Sequence, residues 1–237
     1  MNEAQLDPIL EGLIKAFWLL LTGDPEVYSI MLLTLNVSGI AVLLGAGLGI
    51  PTGAAIALRE FTGKRLLMSI INTFMGLPPV VVGLFVYLVL SSSGPLGPLQ
   101  LLYTPMAMII AQLIVAAPIV VGVTASAVGS VDKAIRDKAL SLGATRFQLA
   151  WTLLNEARVG LVTAVILAFG AAISEVGAVM IVGGNIRWAT RVLTTAIVFE
   201  TELGNFSVAI ALGIILLFLA FVINWVLTRM QWSGLRR

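Results

Sequence analysis

Apolar residues run almost without interruption through five stretches of this chain, at about 29–58, 66–91, 105–129, 158–182 and 207–228. Each reaches the roughly 20 residues that a helix needs to cross the hydrocarbon of a bilayer. None has the short apolar–polar alternation of a membrane-barrel strand. The pattern predicts an all-α polytopic membrane protein with five core spans and no sizeable soluble domain.

A different pattern precedes them. In residues 6–21, Leu6, Ile9, Leu10, Leu13, Ile14, Phe17, Leu20 and Leu21 follow helical spacing, while Asp7, Glu11 and Lys15 recur every four residues opposite them. An amphipathic helix of this kind lies in the membrane interface, where Trp18 suits the headgroup level. Residues 1–23 are therefore expected to form an interfacial unit. The alternative is a short spanning helix, against which stands the cost of Glu11 and Lys15 at mid-bilayer. Thr22-Gly23-Asp24-Pro25 breaks the chain, and residues 24–237 are expected to form the transmembrane domain. Glu3 and Asp7 stand where a signal peptide would carry basic residues, so none is expected.

The connections differ in chemistry. Arg59 to Arg65 is short and basic, Ser91 to Thr104 is rich in Gly, Pro and Ser, and Gly183 to Phe206 reads as a mixed loop. Lysine and arginine set the orientation. Arg59, Lys64, Arg65, Lys133, Arg136, Lys138, Arg146, Arg158, Arg229, Arg236 and Arg237 fall on one side, against Lys15, Arg187 and Arg191 on the other. The first side, which includes residues 131–157 and the C-terminus, is predicted to be cytoplasmic.

Composition narrows the chemistry. Of 237 residues 59% are hydrophobic, with mean hydropathy +1.05, more apolar surface than a water-soluble domain can bury. Cysteine and histidine are absent. That excludes disulfides, the commonest metal ligands and most acid–base catalysis near neutral pH, so no metal site is expected. The net charge is only +2 and there is no basic tract, so nucleic acid is not an expected partner. No P-loop occurs: Gly63-Lys64 is followed by Arg65 and lacks the upstream glycine. The chain is thus not expected to be an enzyme or to bind ATP itself. An intramembrane protease fails for want of histidine and of an aspartate within a span. A channel or secondary transporter is the rival transport class, but it needs no large docking loop and more often shows repeat-related broken helices.

The polar island at 131–158 carries eight charged residues in a chain where charge is 11% of the whole. Ser130 is a candidate N-cap and Asp132 suits the first turn of a helix. Val131, Ile135, Ala139 and Leu142 form an apolar stripe, and Gly143 stands where a helix stop needs positive φ. Thr145-Arg146-Phe147-Gln148 fits a capping box. Phe147, Ala150, Trp151 and Leu154 then form a second stripe. The prediction is helix, tight glycine turn, helix. Such a hairpin either docks another protein or only braces the membrane helices.

Here the chain resembles a known family. Asp137-Lys138-Ala139 followed by Gly143 resembles the EAA loop of ABC-importer permeases, Glu-Ala-Ala, three residues, then Gly; Leu142-Gly143-Ala144 also matches. Asp137 replaces the glutamate, Lys138 the first alanine, and Asn155-Glu156 stands where the family often has Leu-Pro. Leu77-Pro78-Pro79-Val80-Val81-Val82-Gly83-Leu84 resembles the second core span of oxyanion permeases. Ile173 to Ile186 with Thr190 to Ile197 is similar to Tup-type tungstate permeases, and Asp24-Pro25-Glu26 is shared with the molybdate group. The matches cover nearly all of the chain from residue 24.

The resemblance implies a type I ABC importer permease fold: five core transmembrane helices plus an N-terminal amphipathic helix. It implies a homodimer of permeases, two ATP-binding subunits that hold ATP and magnesium, and an extracytoplasmic oxyanion-binding protein. The substrate implied is tungstate, with molybdate or sulfate as alternatives. ATPase coupling would pass through Asp137, Lys138, Ala139, Leu142, Gly143 and Ala144. Pro78, Pro79, Ser174, Glu175, Gly177 and Asn185 would lie at the translocation path or its gate.

Other residues carry readings of their own. Glu175 is the one acid placed within a predicted span. It would repel an oxyanion, so it reads as part of a hydrogen-bonded gate or as a packed, satisfied carboxyl. Gly45, Gly49 and Gly53 form a small-residue face for close helix approach. Pro51 and Pro78-Pro79 kink or break their helices. Arg187 and Arg191 could receive an anion or grip a binding protein, or be solvated loop charges. Thr194, Thr195 and Asn185 could offer uncharged hydrogen bonds to a passing anion.

Overall fold

The computed structural model describes residues 8–235. Glu3, Leu6 and Asp7 of the N-terminal stretch, and Arg236 and Arg237 of the basic tail, lie outside the described residues. In chain order the helices are α1 (Pro8–Thr22), α2 (Pro25–Leu58), α3 (Lys64–Met75), α4 (Pro79–Leu90), α5 (Pro105–Gly129), α6 (Lys133–Ser141), α7 (Arg146–Glu156), α8 (Arg158–Ile173), α9 (Gly177–Gly183), α10 (Leu193–Glu202) and α11 (Phe206–Leu235).

Among the described residues three helices, α2, α5 and α11, are each long and apolar enough to cross a membrane. The pairs α3–α4 and α7–α8 meet the same test only together, α7 and α8 turning by 68° at their junction, which gives up to five crossings. Two of the spans predicted from sequence are not continuous helices. The one at 66–91 divides at Gly76-Leu77-Pro78. A proline cannot continue a helix as donor, but it suits the first helical position, which Pro79 occupies in α4. The one at 158–182 divides at Ser174-Glu175-Val176, where the Glu175 side chain takes a backbone N–H of the next helix. The predicted mixed loop Gly183 to Phe206 contains α10, and the last helix runs beyond 228.

The chain forms two compact units. Of the described residues, the first comprises 8–40, 79–112 and 173–223. Its core joins Leu193 and Ala196 of α10, Leu212 and Ile215 of α11, Ile30 of α2 and Leu19 of α1. Helix α1 reaches that core through Gly12, Ala16 and Leu19. A Cβ on Gly12 would lie 2.5 Å from Ile210 Cγ2, so only glycine permits this approach. The apolar stripe read from the sequence faces outward: Leu10, Leu13, Ile14, Phe17 and Leu21 are exposed. Close packing selected the small residues and left the large ones exposed. In the same unit α4 and α9 touch backbone to backbone. A Cβ on Gly83 would lie 2.6 Å from Ala178 Cα, and one on Gly177 2.5 Å from Val80 Cγ2.

The second unit comprises, of the described residues, 41–78, 113–172 and 224–235. Here the glycine face of α2 packs on α5 as its spacing predicts. A Cβ on Gly49 would lie 2.8 Å from Val120 Cβ, and one on Gly53 2.5 Å from the Val121 carbonyl oxygen. The Gly53 neighbour is backbone and cannot yield. Gly53→Val is expected to destabilise the protein by about 1–3 kcal/mol, read as a lower melting temperature in detergent. An unchanged melt would contradict the α2–α5 packing.

Candidate coupling hairpin and gate

The α6–α7 hairpin is built by local rules. Asp132, not Ser130, caps α6: its carboxylate accepts the Ala134 N–H at 2.8 Å, while the Ser130 hydroxyl donates back to the Ala127 carbonyl at 2.9 Å. The helix ends in a Schellman motif, with the Gly143 N–H on the Leu140 carbonyl at 3.0 Å and the Ala144 N–H on the Ala139 carbonyl at 3.1 Å. Gly143 has φ +78°, the left-handed conformation that this motif requires. The capping box then forms reciprocally: Thr145 Oγ1 accepts the Gln148 N–H at 3.3 Å, and Gln148 Oε1 accepts the Thr145 N–H at 2.8 Å.

The structure sorts the hairpin's two faces, which the sequence reading left open. Leu149, Leu153 and Ala157 are buried with Ala54 and Val128, and Val131, Ile135 and Ala139 pack against them. Leu142, Phe147 and Trp151, read from the sequence as stripe residues, are instead 79%, 80% and 68% exposed. Ala150 and Leu154 are half-buried. Helix α7 carries apolar residues on both sides, and helical spacing alone does not say which side is anchored. Asp137 and Lys138 are exposed, while Ala139 and Ala144 are half-buried. The hairpin thus anchors one face and leaves Leu142, Phe147 and Trp151 unpartnered at its turn and along α7.

The predicted gate residues gather around the starts of α9 and α10, within the first unit. The Glu175 carboxylate accepts the Ala178 N–H at 2.8 Å and also meets the N–H groups of Gly177 and Val176. A carboxylate is favourable at such a helix start. The Glu175 carbonyl in turn accepts the Thr194 hydroxyl at 2.9 Å, and Thr34 of α2 takes the Leu193 N–H at 2.9 Å. Thr195 is fully buried, its hydroxyl bonded to the Val192 backbone. Thr194 and Thr195 are thus engaged inside the protein in this conformation. Pro79 opens α4, whose Val80 lies against Gly177; Pro78 ends the α3–α4 break, and Ser174 sits in the α8–α9 break.

Glu175→Gln keeps an oxygen for the Ala178 N–H but loses the charge. It is expected to assemble normally and to lose transport, and normal uptake would remove Glu175 from the mechanism. Glu175→Ala loses the cap as well, which is expected to cost about 0.5–2 kcal/mol of stability.

Asn185, Arg187 and Arg191 lie in the loop between α9 and α10. Arg187 Nε and Nη2 donate to the two Glu26 carboxylate oxygens at 2.8 and 2.6 Å, and Arg191 Nη1 lies 3.6 Å from Glu26. The hydrogen bond and charge of Glu26 hold the Arg187 guanidinium above its ordinary pKa. Arg191 Nε donates to Asn185 Oδ1 at 3.2 Å, and its guanidinium lies over the Phe199 ring at 4.5 Å. Both arginines are ion-paired here, so neither is the freely solvated loop charge considered from sequence. Thr190 pins the loop by donating to the Gly183 carbonyl at 2.5 Å and accepting the Ile186 N–H at 3.0 Å. Sequence reasoning missed Glu26, Thr34 and Thr190 as partners. Glu26 stands 161 residues from Arg187, and no local pattern links them.

The chain belongs to the binding-protein-dependent transport system inner membrane component family, whose model matches residues 49–231. It is 51% identical over 201 residues to a probable anion ABC transporter permease protein of Haloferax volcanii, covering 83% of this chain and 87% of that one. It is 42% identical over 226 residues to the tungstate uptake system permease protein TupB of Peptoclostridium acidaminophilum, covering 95% and 99%. Its fold matches a subunit of the inward-facing MetNI methionine ABC transporter with TM-score 0.72 at 19% identity, covering 92% of this chain and 97% of that one.

Proposed function

We propose that this chain is the membrane-spanning subunit of an ATP-driven tungstate importer. The observation that carries the reading is the α6–α7 hairpin, anchored by Leu149 and Leu153 and presenting Leu142, Phe147 and Trp151 outward. The near full-length similarity to tungstate permeases supports the substrate. Two copies form the path, because one copy has too few crossings to enclose it easily. Two separate ATPase subunits hold ATP and magnesium and receive the hairpins. An extracytoplasmic binding protein delivers the anion and supplies most of the affinity. ATP binding closes the ATPase pair and moves both hairpins, and the packed helices rock between inward and outward openings.

The hairpin and the C-terminal end of α11 face the cytoplasm, and the Asn185–Arg191 loop faces outward, as the lysine and arginine asymmetry favours. Residues 8–22 lie on the membrane interface. The natural absence of cysteine makes the orientation directly testable. Ser141→Cys and Ala189→Cys, both at exposed positions, are expected to react with a membrane-impermeant maleimide from opposite sides. Labelling of both from one side would overturn the topology. Coexpression with the neighbouring ATPase is expected to give a complex whose ATP hydrolysis rises with tungstate-loaded binding protein. Failure to form it would overturn the coupling role.

A further inference from the structure

Beside the hairpin, the end of α2 and α7 enclose a groove of about 1000 Å³. Its floor is apolar, including Ala54, Leu58, Leu149 and Leu154, and Arg59, Arg136 and Arg146 stand around it. Glu60 also lines it, but is paired with Lys64 at 2.9 Å, and that partner holds its carboxyl below the usual range. Arg136 uses one N–H on the Leu58 carbonyl at 3.5 Å and keeps its other donors. Among the described residues that line the groove, three are arginines and the one acid is paired with Lys64.

An exposed apolar stripe leads away from the groove along α2. Leu44, Leu48, Pro51 and Ala55 recur at i, i+4, i+7 and i+11 on α2, all exposed, and Pro51 and Ala55 line the groove itself. This face is distinct from the Gly49–Gly53 face that packs on α5.

We propose that this groove binds an anionic phospholipid of the cytoplasmic leaflet. Its phosphate sits among Arg59, Arg136 and Arg146, and an acyl chain lies along Leu44, Leu48, Pro51 and Ala55. Charge selects an anionic headgroup, and basic pockets beside membrane helices suit one. The apolar stripe selects a lipid over the soluble ATPase, which cannot follow α2 into hydrocarbon. The proposal rests on the cytoplasmic orientation given above. A lipid held there would touch both α2 and the coupling hairpin, so the anionic lipid content of the membrane would bear on how firmly the hairpin is seated.

The test uses the purified permease–ATPase complex from bilayers of phosphatidylcholine and phosphatidylglycerol, with retained lipid read by native mass spectrometry. Wild type is expected to retain phosphatidylglycerol above its share of the bilayer. Arg59→Gln and Arg146→Gln are each expected to lower that retention about fivefold. Ala55→Trp, which fills the apolar track, is expected to lower it without changing any charge. Lys133→Gln, outside the groove, is expected to match wild type, and unchanged melting temperatures exclude misfolding. Equal retention by all variants would overturn the proposal. So would displacement by millimolar inorganic phosphate, which would make this a free-anion site. Retention only after the ATPase is stripped away would assign the groove to the ATPase instead. Retention is read without transport, so its failure leaves the importer reading standing.

Discussion

Gly143→Val is expected to abolish ATP-coupled uptake while leaving the protein in the membrane. Gly143 is the left-handed residue of the Schellman turn between α6 and α7, at φ +78°. A β-branched side chain there costs about 1–2 kcal/mol or more in backbone strain. No neighbouring atom lies within 4 Å of a Cβ built on it, so the penalty is conformational and not a clash. The turn would relieve it by opening, with loss of the Gly143–Leu140 and Ala144–Ala139 hydrogen bonds. The hairpin would then present Leu142, Phe147 and Trp151 in a new direction. Gly143 is exposed and lies outside the buried cluster that seats α7 on α2 and α5, so the abundance of the variant in the membrane should match wild type. Uptake is expected to fall by more than about tenfold. Wild-type uptake in this variant would sink the docking account.

Phe147→Ala and Trp151→Ala are expected to weaken capture of the ATPase while leaving the permease as stable as wild type. Both side chains are mostly exposed in this chain, at 80% and 68%, so truncating them removes little intramolecular packing. Large aromatics that fill a partner's pocket commonly cost about 2 kcal/mol or more when truncated, roughly thirtyfold in affinity. The opposite face provides the control. Leu153 is 3% exposed within the α2–α5–α7 cluster. Leu153→Ala is expected to lower stability by about 2–5 kcal/mol. Measured together, ATPase copurification and thermal melting separate the two faces of one helix. Lower melting with unchanged ATPase capture for Phe147→Ala and Trp151→Ala would mean that the aromatic face braces the permease and docks nothing.

The hairpin was legible because its signals are local. Thr145 with Gln148 specifies a capping box and Gly143 a left-handed stop, each within a few residues. The glycine face of α2 was legible for the same reason, since Gly45, Gly49 and Gly53 lie on one side of a single helix. What the sequence obscured depended on distant partners. Whether α7 buries Leu149 and Leu153 or Phe147 and Trp151 is decided by Ala54 and Val128, which periodicity does not reveal. Likewise, the packing of the Gly12 side of α1 on Ile210 of α11 is not visible in the spacing of α1 itself. The two divided spans show how apolar composition alone misleads. Hydropathy is continuous across Gly76–Pro78 and nearly so across Ser174–Val176, but proline and a capping carboxylate end the helices there. Helix α10 was hidden in a mixed loop because its start is fixed by Thr34 of α2, 159 residues away.

Glu175 shows the same lesson at the candidate gate. From sequence, a carboxylate on the route of a dianion looks like an obstacle. In the structure its charge is turned onto the N–H groups at the start of α9, and its carbonyl holds Thr194 of α10. This ties two short helices together and turns the negative charge away from the role of ligand. Any motion that separates α9 from α10 has to break the Thr194 bond, which gives the cluster a way to resist opening.

The central claim is best tested by binding-protein-dependent uptake of tungstate into vesicles containing this chain and its neighbouring ATPase, with and without ATP, and with molybdate and sulfate as competitors. The account predicts uptake that requires ATP and persists in excess molybdate. Uptake indifferent to ATP would contradict it and restore the channel or secondary-transporter reading.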